Sequence, residues 1–585
     1  MKLIFRAIGK YKNAVILAIV IKLFATMTEL LLPYILEHMI DVVVPTKQLA
    51  SVILWGLGMF AAALLCRQLN VAANRKAIDN AHRVSYDLRQ ALFERTANLS
   101  GPQFDAFGLP SLISRMTSDS YNVQGAVQQI QTLCVRAPMM LLGGLSMTLM
   151  MDANLALILV VMLPFLLGIV LFVSSHGIPL YSVVQQRLDA VVRIMRENIT
   201  GIRVVKALSK TEYEKARFGE ANRAMAESDI RASTVMAIPG PFMQMSLNVG
   251  LVLVILIGAR RVNAGVMQPG VILAFLTYFN MITMGVMGIN RIFMSLSRAS
   301  ASANRMEAVM QSETDQPVLS EEEAPPCPDP EAFIRFDHVS FTYNRAESRE
   351  GFAGEEQEQA LEDIDFTLRR GESLGIIGPT GCGKTTIVNL LMRFYDVEQG
   401  HVYVDGRDVR TCGKDELRRR FGVVFQNDMI FQDTLRENID FGRGLTEQEL
   451  RSAVEDAMAA EYIDKLGVGL DYEASIKGAN LSGGQKQRLL VARALAGKPD
   501  ILVLDDSSSA LDYKTDAAMR RAIEEHHADS TLILIAQRVS SVMGMDHIMM
   551  LDNGRCIGYG THEELLDACP AYREIYEIQM GAMTA

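Results

Sequence analysis

Gly378-Pro379-Thr380-Gly381-Cys382-Gly383-Lys384-Thr385 decides how the second half of this 585-residue chain is read. Its glycines let successive backbone N–H groups turn inward around phosphate oxygens, Lys384 reaches the β and γ oxygens, and the Thr385 hydroxyl suits magnesium. The flanks agree with a phosphate-binding loop. Glu372 to Ile377 reads as a strand entering it, and Thr386 to Phe394 as the helix leaving it, N-terminus toward the phosphates. Downstream, Ile501 to Asp505 is the apolar strand ending in an acid that accompanies such loops.

Upstream of the loop the composition changes character. The chain is 49% hydrophobic with a mean hydropathy of +0.16, high for a soluble chain this rich in charge, and the apolar residues concentrate in the first half. Six stretches are long enough to cross a bilayer: Ala14–Val44, Leu49–Cys66, Leu133–Met151, Leu155–Val173, Val235–Gly258 and Val271–Met294. The second needs its continuation past Arg67 to be complete. Basic residues at Lys2, Arg6, Lys10 and Lys12 and across 67–130 and 176–232 place those segments inside the cell. The short connections near Pro45–Gln48, Asp152–Asn154 and Asn263–Pro269 then lie outside, with Arg260 and Arg261 against the bias.

The inner segments keep helical periodicity, as in Ala73–Leu99 and Tyr181–Ala207, and read as span helices continuing past the membrane. Ser111–Asp119 and Lys210–Phe218 are predicted as their turns. Residues 1–11, with Leu3, Ile4, Phe5 and Ile8 against Lys2, Arg6 and Lys10, predict a helix on the inner membrane surface rather than a cleaved signal. Seven scattered cysteines give neither a disulfide framework nor a zinc pattern. A net charge of −10 and the lack of a basic, aromatic-bearing stripe argue against a nucleic-acid partner. The proline- and acid-rich stretch 312–331 reads as a linker, so the expected organisation is a membrane domain over 1–311 and a nucleotide-binding domain over 332–585. Asn344–Gln359, rich in Glu, Gly and Arg, reads as a solvated loop.

Leu481-Ser482-Gly483-Gly484-Gln485, between the phosphate loop and Asp505, is the signature sequence of ABC ATPases. Nearly the whole chain resembles an ABC exporter half-transporter. The resemblance implies a multi-domain membrane protein, an all-α six-helix transmembrane domain followed by an α/β phosphate-loop nucleotide-binding domain, in a bacterial inner membrane with the ATPase in the cytoplasm. It implies ATP and Mg2+ as ligands, held by Gly378 to Thr385 with Thr386; Tyr343 stacking on adenine; Thr385, Gln426 and, through water, Asp505 at the metal; and Ser482, Gly483, Gly484 and Gln485 completing the site on a second subunit. Ser509 to Asp512 match the segment through which two such domains sense each other.

This sequence departs from that pattern at two catalytic positions. Asp506 stands where the family has a glutamate that orients the attacking water, and Gln537 where it has a switch histidine. Ser475 to Gly478 also lacks the Gly-Glu-Arg-Gly-like pattern. With the signature intact, the expectation is a heterodimer in which this chain contributes the degenerate, ATP-retaining site; a slow homodimer is the alternative. The expected cargo is a small amphipathic or hydrophobic molecule (drug, lipid or peptide), or, as an importer on the same plan, a metal chelate. Glu29, within the first span and costly there, and Met281, Met284 and Met287, at helical spacing on the last, are the cavity candidates. Glu29 is expected to meet a cationic cargo, Lys22, or a basic side chain of the second subunit.

Overall fold

The computed structural model describes residues 1–312, 316–343, 359–507 and 509–584; the predicted loop 344–359 falls, but for its last residue, outside them. The chain divides into two compact units, Met1–Ala97 with Pro110–Gln311, and Asn98–Leu109 with Ser312–Ala585.

The first unit is helical: α1 (Lys2–Gly9), α2 (Lys12–His38) and α3 (Leu49–Ala97) open it, and after the excursion into the second unit it continues. There follow α6 (Ser120–Gln131), α7 (Leu133–Met151), α8 (Ala153–Thr200), α9 (Ile202–Ala207), α10 (Thr211–Ala237), α11 (Pro239–Asn263) and α12 (Pro269–Gln311), with α4 (Gly101–Phe107) and α5 (Leu109–Ser114) lying at the excursion. Among the described residues, five helical stretches are long and apolar enough to cross a membrane: Lys12–Thr46, Leu49–Ala97, Leu109–Met151, Thr211–Asn263 and Pro269–Gln311. The remaining predicted span, Leu155–Val173, lies inside the unbroken α8, whose described apolar part is Ala153–Leu166. α3 runs for 49 residues without a break, so the second span does continue past Arg67.

Three expectations are corrected here. The predicted turns sit too late in the chain: the first break falls at Asn98–Ser100, while Ser111–Asp119 is helical throughout, its last turns widened to a π-helix. The second falls at Leu208–Lys210, and Thr211–Phe218 already belongs to α10. Periodicity continues through a helix-favouring sequence on both sides of a turn, so it cannot mark where the chain doubles back. The N-terminal helix forms, but Leu3 and Ile4 are buried in protein and Phe5 alone of that group is strongly exposed, at 60%.

One of the two arginines that run against the charge bias is paired. Arg261 donates to Asp152 Oδ2 at 2.9 Å, and the same carboxylate caps α8 by accepting from the backbone N–H of Asn154 and Leu155. Gly270 N–H donates to Asp41 at 2.6 Å, tying the start of α12 to the end of the first span. Leu155, Phe275 and Tyr278 are fully buried between these helices, where close packing rather than removal from water holds them, since lipid tails are as apolar as the side chains.

In the second unit, a four-stranded antiparallel sheet runs in the order β2 (Leu361–Leu368), β1 (Ile334–Phe341), β4 (Gln399–Val404), β5 (Arg407–Asp408). A six-stranded sheet runs β10 (Arg555–Gly560), β9 (His547–Asp552), β3 (Ser373–Ile377), β8 (Thr531–Ile535), β7 (Ile501–Asp505), β6 (Phe421–Val424). All but β10 are parallel. Strands covered on both faces read as unbroken apolar runs, and every residue of β7 and β8 is buried. The stretch after residue 315 is not free: Leu319 N–H donates to the Arg410 carbonyl and Arg393 to that of Pro317.

Candidate active site

In a parallel sheet the ligand crevice lies beyond the carboxyl ends of the strands. β3, β8 and β7 are neighbours, so the loops leaving them share one edge: Gly378–Thr385 after β3, Gln537 after β8, Asp505 and Asp506 at the end of β7. The register is tight, with Ala536 N–H donating to the Ile376 carbonyl at 3.1 Å and Asp506 N–H to that of Ile535 at 3.0 Å. Topology thus gathers residues that lie up to 159 positions apart in the chain, Gly378 to Gln537.

The loop itself is open toward that edge. Gly381, at φ +89, faces nothing within 4 Å of where a Cβ would stand, whereas a Cβ on Gly383, at φ +102, would fall 2.6 Å from the Ala360 carbonyl. One glycine leaves a cradle and the other permits the close turn behind it. Pro379 and Thr380 are exposed on the loop, Cys382 is buried beneath it, and Thr386 is buried in the helix that follows. Lys384 donates to the Gly378 and Pro379 carbonyls at 2.8 and 2.7 Å, an ammonium resting on its own loop. Thr385 Oγ1 donates to Asp505 Oδ2 at 2.8 Å, which brings the hydroxyl and the acid together. An open loop beside a cation and a hydroxyl–carboxylate pair fits a magnesium–nucleotide triphosphate.

Burial pushes the Asp505 carboxyl above the usual carboxylate range, against the opposing Thr385 hydrogen bond. Burial raises Asp506 as well, opposed by Lys384 and Arg538. Asp506 adopts φ +51, a left-handed backbone that aspartate tolerates better than most residues. The two departures from the family pattern touch each other: Gln537 Nε2 donates to Asp506 Oδ2 at 3.4 Å.

Tyr343 is half-buried, its ring set edge-on to Phe341 and Tyr395 and its hydroxyl linked to Thr386 and Asn389. Gln426 is exposed just after β6. Ser482 caps the helix Gly483–Leu495 in a reciprocal box with Gln485. Gln487, which belongs to no motif read from the sequence, donates to Ser509 Oγ at 3.0 Å and accepts from Ala510 N–H at 2.9 Å. Those partners lie over twenty residues downstream, at no spacing a helix or strand would signal.

The cavity candidates are partly brought together. Glu29 is already paired, and neither with Lys22 nor across a subunit boundary: Arg136 of α7 donates to its Oε1 at 2.8 Å. Lys22 instead donates to Asn70 and Asn74 of α3. Met284 and Met287 are exposed, while Met281 packs against Leu30 and Tyr278.

A helical membrane-crossing unit and a phosphate-loop ATPase unit in one chain define an ATP-driven transporter. The family described as ABC transporter transmembrane region matches residues 15–286, and that described as ABC transporter matches 361–509. An uncharacterised ABC transporter ATP-binding protein of Mycobacterium tuberculosis is 33% identical over 586 residues, covering 99% of this chain and 98% of its own. An ATP-dependent lipid A-core flippase of Syntrophus aciditrophicus is 30% identical over 501 residues, 85% of this chain and 80% of its own. The fold matches that of a bacterial Atm1-family ABC exporter with ATP bound at a TM-score of 0.80 and 22% identity, over 97% of this chain and 99% of that one. The chain belongs to the ABC transporter family. It is a half-transporter of exporter-type fold, a multi-pass membrane protein whose ATPase domain binds ATP on the cytoplasmic side and couples its hydrolysis to transport.

Proposed function

We propose that this chain is one half of a heterodimeric exporter of small amphipathic molecules, and that its own phosphate-loop site retains ATP and turns it over slowly. The contact between Gln537 and Asp506 carries this reading. A general base must lie within hydrogen-bond reach of its water. Asp506 is one methylene shorter than glutamate, and the amide of Gln537 occupies one of its two oxygens. Gln537 carries no titratable proton to pass on. Loss of a positioned base lowers turnover by roughly 10²–10⁴-fold while leaving binding in place.

Binding rests on other residues. Lys384 exchanges the carbonyls of Gly378 and Pro379 for the β and γ oxygens of ATP, and the loop N–H groups from Gly378 to Thr386 enclose the phosphates. Thr385, Asp505 and Gln426 would hold Mg2+, which neutralises phosphate charge when bound. Tyr343 offers its ring to the adenine. Ser482, Gly483, Gly484 and Gln485 complete the site on the partner, which must bring a glutamate and a histidine of its own. The flippase among the relatives supports an amphipathic cargo.

Purification of this chain alone and with candidate half-transporters tests the pairing. Slow turnover alone and fast turnover with a partner bearing the missing glutamate is the expected outcome. Fast cooperative hydrolysis by this chain alone would overturn it in favour of a homodimer.

A further inference from the structure

A polar cluster lies deep in the membrane unit. Lys22 sits ten residues into α2, roughly 15 Å along the helix, and is only 5% exposed. Its ammonium donates to Asn70 Oδ1 at 2.7 Å and Asn74 Oδ1 at 3.3 Å, both on α3. Two turns further along α2, Glu29 accepts from Arg136. Both acceptors are neutral amide oxygens, so neither supplies a countercharge to the ammonium.

The cluster therefore holds two cations and one anion, and among the described residues no other acid pairs with either cation. Charge inside a membrane is expensive and is ordinarily paired or turned toward a cavity. Arg136 spends its Nε and one terminal nitrogen on Glu29, no described residue accepts from the other, and its side chain is 40% exposed. Beside it the surface is apolar and adaptable. A Cβ on Gly288 would stand 2.7 Å from Ala137 Cβ, and one on Gly285 2.9 Å from the Ala137 carbonyl. That close approach brings the part of α12 bearing the exposed Met284 and Met287 to the level of Arg136.

We infer that the cargo is an amphiphile with an anionic head, contacted by the exposed Arg136 and drawn by the positive potential of the buried Lys22 behind it, with its apolar body on the methionine surface of α12. This reverses the cationic preference that an unpaired Glu29 would give. It deepens the transport reading above and rests on it.

The test uses the full-length chain in phosphatidylcholine nanodiscs and two photoactivatable probes, a diazirine-bearing dodecyl phosphate and its trimethylammonium counterpart, with cross-links mapped by mass spectrometry. The phosphate probe should label peptides of α2, α3, α7 and α12 in preference to the ammonium probe, and Lys22→Gln should lower that labelling roughly tenfold. Lys22→Arg should retain it, which separates charge from folding. Suppression in phosphatidylglycerol nanodiscs would identify a lipid head as the anion, and persistence a smaller amphiphile; both uphold the inference. Equal labelling by the ammonium probe, no response to Lys22→Gln, or displacement by inorganic phosphate as effective as by unlabelled dodecyl phosphate would overturn it. Labelling needs no ATP turnover, so its failure leaves the proposed heterodimer standing, and a failed pairing leaves the labelling readable.

Discussion

The signature edge and the phosphate-loop edge of the ATPase unit differ in how their polar groups are held. At the signature edge Ser482 and Gln485 satisfy each other, and Gln487 fastens Ser509 and Ala510. These bonds lie within the chain itself, so the edge is shaped before any partner arrives. At the phosphate-loop edge the working groups rest on substitutes: Lys384 on its own loop carbonyls, Thr385 on Asp505, Gln537 on Asp506. On the function proposed above, phosphate and metal would compete for the first two contacts. The third sets one departure from the family pattern against the other, at the step where water would be activated. The first edge is already bonded, and the two departures at catalytic positions, Asp506 and Gln537, both lie on the second.

The sharpest way to break this contrast is Asp506→Glu combined with Gln537→His. Single-site turnover measured with the partner's own site disabled should rise by roughly 10² or more; an unchanged rate would mean that these side chains are not what limits the site. Lys384→Ala should next weaken ATP retention by roughly 10–100-fold, read by equilibrium binding of a fluorescent ATP analogue, since hydrogen bonds to a charged group are the strong ones. Smaller still, Gln487→Ala should cost about 1 kcal/mol of stability and speed amide exchange at Ala510 and Leu511, because it leaves a donor without its acceptor.

Acidification sharpens the comparison without a mutation. Burial holds the Asp505 carboxyl above the usual range, so it takes up a proton at a higher pH than a free aspartate, and a metal needs it ionised. Magnesium-dependent ATP retention should be full near neutral pH and weaken on acidification from above the ordinary carboxylate range. The folding contribution has the opposite sign. A raised acid favours the folded state below its unfolded pKa and loses that contribution as pH rises through the folded one. Binding titrations and thermal unfolding of the same protein should therefore move in opposite directions for this group, and Asp505→Asn should flatten both.

The parts legible in the sequence were those in which backbone chemistry forces residue choice. Gly381 and Gly383 are demanded by positive φ, and the apolar runs of β7 and β8 by burial on both faces. The membrane helices were legible for a similar reason, since a bilayer tolerates no long polar run. What could not be read was partnership across distance. Arg136 lies 107 residues from Glu29, and nothing in either neighbourhood marks the pair. Leu3 and Ile4 satisfied a surface-helix pattern equally well whether lipid or protein covered them. The turn at Asn98–Ser100 was hidden because helical pattern continues on both sides of it.

The segment Asn98–Leu109 belongs to the compact unit that otherwise begins at Ser312. Within that unit Tyr395 donates to Asp105 at 2.5 Å, Lys414 to Asn98 at 3.1 Å, and a side chain on Gly101 would strike the Phe394 carbonyl at 2.6 Å. A short stretch from the first half of the chain thus packs with the residues that follow Ser312. A fragment cut after Gln311 would carry both sheets but lack the helix Gly101–Phe107 that packs on Phe394 and Tyr395, leaving those side chains newly bared to solvent. Supplying the peptide 98–109 in trans to such a fragment should restore protection at Tyr395, and a protease that nicks the chain on either side of that peptide would separate the sequence without separating the fold.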